Sequence, residues 1–160
     1  MFYTKVTGGE VALARVSDEA RRRNMMTHAQ QMVQTNPSSA PADQGVLVEC
    51  IEACLGCAQA CTACADACIG EGDLQMLARC IRLDLDCAEV CGATGRILSR
   101  LTAFEPAMTG AVLRACAEAC RLCGEECERH AEHHEHCRVC AQACRRCESA
   151  CINMLSAIAA

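Results

Sequence analysis

A chain of 160 residues is long enough for one domain with a buried core and too short for two ordinary ones. With a net charge of -5, 22% charged and 52% apolar residues, it is neither a disordered polyelectrolyte nor a basic nucleic-acid binder. Cysteine is the outlier at 18 residues, whereas the aromatics amount to Phe2, Tyr3 and Phe104, so large rings cannot organise the core.

Residues 1 to 24 read as a mixed-charge N-terminal extension, without a strong apolar stripe and open to disorder. The basic run Arg21, Arg22, Arg23 hints at a twin-arginine signal, but residues 24 to 31 supply neither an apolar stretch nor a cleavage site. No stretch approaches the ~18 to 20 uninterrupted apolar residues of a membrane span. The expectation is a cytoplasmic protein with reduced thiols and neither a membrane nor a nucleic acid as partner. Residues 25 to 35, with Met25, Met26, Met32 and Val33 among polar neighbours, predict a short amphipathic helix. A Pro/Ser linker closes this 25–42 segment, and the main domain is assigned to 43–160.

That domain reads as four helices with no alternating strand pattern. The first runs from about 44 to 69 and stops at Gly70, Glu71 and Gly72. The second starts after Asp73, a good N-cap, and extends to about 100, and the third opens at Pro106 in the favoured first-turn position. Residues 128 to 136 contain neither Gly nor Pro. An unbroken helix there would rotate the cysteine stripe by roughly a fifth of a turn between Cys127 and Cys137 and reach about 80 Å, so a tight turn is placed in this segment.

The cysteines fall in register. Cys50, Cys54, Cys57, Cys61, Cys64 and Cys68 keep a 4-3-4-3-4 spacing, the seam of a packed helix with cysteine where leucine normally stands. Cys116, Cys120, Cys123 and Cys127 repeat it on the third helix, and Cys137, Cys140, Cys144, Cys147 and Cys151 on the fourth. The second helix carries Cys80, Cys87 and Cys91, with Asp84 in the seam position between the first two. The fold class is therefore all-α, an antiparallel up-down four-helix bundle with a cysteine-lined core and a short additional N-terminal helix.

Cysteine as a mere small hydrophobe does not account for so many seam positions, since each buries less apolar area than leucine would. Disulfides suit neighbours on one helix face poorly. Thiolate-only sites select Cu(I), Zn(II) or iron clusters. Iron–sulfur motifs group cysteines in loops with a Cys-Pro ending, and no cysteine here precedes proline. Zinc takes isolated tetrahedral sets, each leaving two negative charges in the core, whereas one Cu(I) per thiolate fills it neutrally. The reading is a non-catalytic store holding multiple Cu(I) ions per chain, on the order of 18. The alternatives are a thiol redox protein or peroxide scavenger, which needs a distinguished low-pKa cysteine, and a zinc or cadmium buffer.

On these seams, and from about residue 25 to 158, the chain resembles the cytosolic copper storage proteins. The resemblance implies a homotetramer, the storage role, the minor N-terminal helix, and histidines at the bundle mouth that match His130, His134 and His136, with His133 additional. It leaves the copper donor and acceptor open, and the role of residues 1 to 24 as well. The alternative for the histidines is a solvated polar turn. Asp84 is counted as a candidate ligand against the alternative of a partly exposed carboxylate paired with arginine, and the methionines are read as packing. The far end, with Leu47, Leu98, Leu101, Leu113, Leu155 and Ile158, reads as an aliphatic plug.

Overall fold

The computed structural model describes residues 26–159; the N-terminal extension and Met25 lie outside the described residues. Five helices follow in order: α1 (His28–Thr35), α2 (Gln44–Gly70), α3 (Leu74–Leu98), α4 (Pro106–His130) and α5 (Glu135–Ala159). No strand occurs among the described residues.

Each start has a local cause. Thr27 caps α1 through a capping box with Gln30, so this helix begins two to three residues later than the apolar pattern alone suggests. Asp43 accepts from the backbone N–H groups of Gly45 and Val46 at the head of α2, and Asp73 from that of Met76 at the head of α3. Pro106 opens α4 behind a Glu105 cap. Between α2 and α3, Gly72 takes φ +84°, a conformation that glycine adopts without a Cβ penalty. Between α4 and α5 the chain turns over residues 131 to 134. The His134 N–H donates to the His130 carbonyl at 2.9 Å, and the Cys137 N–H returns to the His134 carbonyl at 3.1 Å. The four-residue turn fits the phase argument for a break there.

The four long helices pack in a ring, α2 against α3, α3 against α4, α4 against α5 and α5 back against α2, while α1 rests on α2. The pair α4 and α5 approaches closely at Gly124, where an added Cβ would come within 3.3 Å of the Cys144 Cβ. On the outside, Arg145 grips Glu128 through two parallel hydrogen bonds of 2.8 Å, tying α5 to α4. α1 buries only Val33; Met32 is exposed rather than packed, and the Thr27 hydroxyl reaches across to Glu52 on α2.

By length and composition α2 passes as a membrane span, since it is 27 residues long and sparsely charged. The sequence expectation that no stretch approaches a span therefore needs narrowing. In the bundle the apolar side of α2 is taken up by packing, with Leu47, Cys50, Cys54, Cys57, Cys61, Cys64 and Cys68 all buried.

Candidate metal centre

All 18 seam cysteines are buried and none is paired in a disulfide. Heptad spacing turns every one of them to the bundle axis, so sulfurs from different helices meet there. Cys91 Sγ lies 3.4 Å from Cys120 and 3.5 Å from Cys116. Cys61 stands 3.6 Å from both Cys144 and Cys140, Cys57 is 3.7 Å from Cys144, and Cys80 is 3.6 Å from Cys127. These separations far exceed the ~2.05 Å of an S–S bond. They lie just under the ~3.8 Å edge of a tetrahedral thiolate site with metal–sulfur bonds of ~2.3 Å.

Several sets of four sulfurs lie within 4.8 Å of one another: Cys54, Cys116, Cys147 and Cys151; Cys57, Cys87, Cys91 and Cys120; Cys57, Cys61, Cys87 and Cys144; Cys61, Cys123, Cys140 and Cys144; and Cys64, Cys68, Cys80 and Cys137. The sets overlap, with Cys57, Cys61, Cys87 and Cys144 each in two of them. The seam is a continuous column of soft ligands. Without metal its thiols stay protonated where burial dominates: burial pushes Cys68 up to about 12 and raises Cys137 as well.

Asp84 is fully buried and pairs with no arginine among the described residues, which rules out the partly exposed carboxylate. Its Oδ1 accepts from the thiols of Cys123 at 3.0 Å, Cys140 at 3.3 Å and Cys127 at 3.4 Å, and its Oδ2 from that of Cys80 at 3.8 Å. Burial raises its carboxyl to about 7, with the neighbouring Cys140 adding to the shift and the Cys123 thiol opposing it. It is a hard oxygen donor set inside the sulfur column.

The histidines gather at one end. His136 points Nδ1 at Cys64 (3.4 Å), Cys137 (3.5 Å) and Cys68 (3.9 Å), and its Nε2 lies 3.1 Å from Glu71 Oε1. His134 Nδ1 meets the same Glu71 oxygen at 3.2 Å. These two imidazoles hold the Glu71 carboxyl below its usual range. His130 Nε2 is buried without a hydrogen bond, 3.5 Å from Glu126 Oε1. Glu126 is itself buried and bound by Arg79 at 2.9 Å and Arg129 at 3.0 Å. His133 is exposed and stands apart. Sequence reading assigned no role to Glu71 or Glu126. Glu71 adjoins Gly72 in the connection that antiparallel packing sets beside the histidine turn, a signal available only once the topology is assumed.

At the opposite end Leu47, Leu98, Leu101 and Leu113 are buried, joined by Met154, while Leu155 and Ile158 are only partly covered. Met154 packs there as the sequence reading of the methionines expects, and Leu155 and Ile158 lie at the margin of the plug.

An all-α bundle with a thiol-lined axis and one histidine-ringed end defines a metal-holding rather than a surface-recognition protein. The copper storage protein family profile matches residues 43–156, and the chain belongs to that family. Among solved structures, the copper storage protein Ccsp of Streptomyces lividans, loaded with 10 copper equivalents, is 52% identical over 81% of this chain and 98% of its own, with a TM-score of 0.79. A cytosolic copper storage protein of the same organism, with five coppers, is 58% identical over 70% and 93%, with a TM-score of 0.69. The Cu(I)-bound copper storage protein BsCsp3 is 37% identical over 66% and 93%, with a TM-score of 0.58. No significant match is found among curated protein sequences.

Proposed function

We propose that this chain is a cytosolic Cu(I) store in which incoming ions displace thiol protons and spread along the cysteine column. The observation that carries the reading is the overlap of the four-sulfur sets through Cys57, Cys61, Cys87 and Cys144. Independent tetrahedral ions cannot all occupy sets that share ligands, whereas Cu(I) bridged by thiolates can, and it leaves the low-dielectric core neutral. The copper-loaded Streptomyces relatives support the same assignment.

In this reading the 18 cysteines are the ligands, and Asp84 Oδ1 offers an oxygen to ions held by Cys123, Cys127 and Cys140. His130, His134 and His136 receive copper at the mouth, and His136 Nδ1 hands it to Cys64, Cys68 and Cys137. A thiol enzyme needs one distinguished, accessible cysteine. Here all 18 are buried in one seam system, which favours storage without catalysis. Assembly as a homotetramer follows the family resemblance and is checked by light scattering.

Anaerobic titration with Cu(I) against a competing chelator tests the assignment. The expected outcome is on the order of 18 ions per chain, with about one proton released per ion in weakly buffered solution. A capacity of only a few ions, or uptake without proton release, overturns bridging by neutral thiols.

A further inference from the structure

We propose that Glu71, His134 and His136 form a separate site for one borderline divalent cation of the Zn(II) type on the outer face of the mouth. Glu71 Oε1 is 3.2 Å from His134 Nδ1 and 3.1 Å from His136 Nε2, and the two rings are 5.4 Å apart between centroids at 35°. For metal–ligand bonds of ~2.0 to 2.1 Å, the edge of a tetrahedral site is roughly 3.3 Å. Both imidazole nitrogens already sit near that spacing from the carboxylate oxygen. Two imidazoles and a carboxylate are the donors of Zn(II) and Co(II), while soft Cu(I) prefers the thiolates below.

Placement supports the assignment. Glu71 is the C-cap of α2, His134 ends the α4–α5 turn and His136 lies in the first turn of α5, so an ion here bridges two connections of the bundle. The side chains are 40%, 19% and 21% exposed, which leaves a route for a hydrated ion. His136 separates the two chemistries, with one ring nitrogen toward the thiols and the other toward Glu71. A cation held on the outer nitrogen competes with Cu(I) for this residue and makes entry to the store sensitive to divalent ions. The site itself rests on the nitrogen and oxygen donors alone, and only this consequence depends on the storage reading.

Anaerobic titration of the metal-free protein with Co(II) tests the site. The expected result is one Co(II) per chain with the visible bands of nitrogen and oxygen ligation and no sulfur-to-cobalt charge transfer. Both Glu71→Gln and His134→Ala are expected to weaken it roughly tenfold or more. Binding with a thiolate spectrum only, no binding, or variants matching wild type would each overturn the site. Cu(I) capacity, measured in parallel, stays at the wild-type value in Glu71→Gln. If wild type itself fails to take up many Cu(I) ions, the storage reading falls while the Co(II) result stands on its own.

Discussion

At one end of the bundle Leu47, Leu98, Leu101, Leu113 and Met154 fill the space between the helices; at the other, the partly exposed side chains of His130, His134, His136 and Glu71 cluster. The same four-helix cross-section is thus finished by dispersion and burial at one end and by polar groups that keep contact with water at the other. Between them lies a column of thiols that is indifferent to direction. The ends alone give it a sense. In the proposed storage reading, ions exchange where ligand atoms reach solvent, and among the described residues the aliphatic end offers none.

The largest effect should come from placing a charge in the closed end. Leu113→Asp buries a carboxylate in the aliphatic end and should cost about 5 kcal/mol or more, lowering the thermal midpoint of the metal-free protein by roughly 10 to 20 °C. An unchanged midpoint would mean that the plug is not packed as described.

Asp84 provides the contrast within the column. Its carboxyl is raised to about 7, so its contribution to stability is present below the unfolded value of about 4 and lost as pH rises to about 7. Asp84→Asn should flatten that loss, a difference of up to about 4 kcal/mol at ~1.4 kcal/mol per pH unit. Denaturant unfolding of the metal-free protein from pH 4 to 8 measures it, on the order of those pH limits. Parallel curves for the two proteins would show that the buried carboxyl does not titrate in this range.

The open end should govern rate rather than stability. Replacing His130, His134 and His136 together is expected to slow copper uptake about tenfold, or ~1.4 kcal/mol in barrier, with final capacity lower by no more than about three ions. Stopped-flow loading beside equilibrium stoichiometry separates the two. Equal rates would return the histidines to a solvated turn and remove the asymmetry between the ends.

The smallest effect belongs to the connection at the closed end, where Ala103 takes φ +53°. Ala103→Gly relieves that left-handed strain and should stabilise the metal-free protein by less than about 1 kcal/mol, read as a small rise in the unfolding midpoint. No change in copper loading is expected, since the residue lies at the end opposite the mouth.

Much of this is legible in the sequence. The 4-3 spacing from Cys50 to Cys68 fixes both helix and face, and Asp43, Asp73 and Pro106 mark helix starts by local hydrogen bonding and φ alone. The start of α1 was less legible because its signal is the reciprocal Thr27 and Gln30 cap rather than its methionines. The surroundings of Asp84 were not legible at all. A seam position says that a side chain faces inward, but three thiols on α4 and α5 decide that it is held there without an arginine.

The sequence by itself determined the helices, the stripe each presents and the softness of the ligands, because periodicity, capping and thiol chemistry act within a few residues along the chain. Only the tertiary structure decided which sulfurs share a set and that Glu71 meets His134 and His136. Those relations join residues on different helices or at opposite ends of long elements. Their distances follow from how the ring of helices closes, which no local pattern encodes.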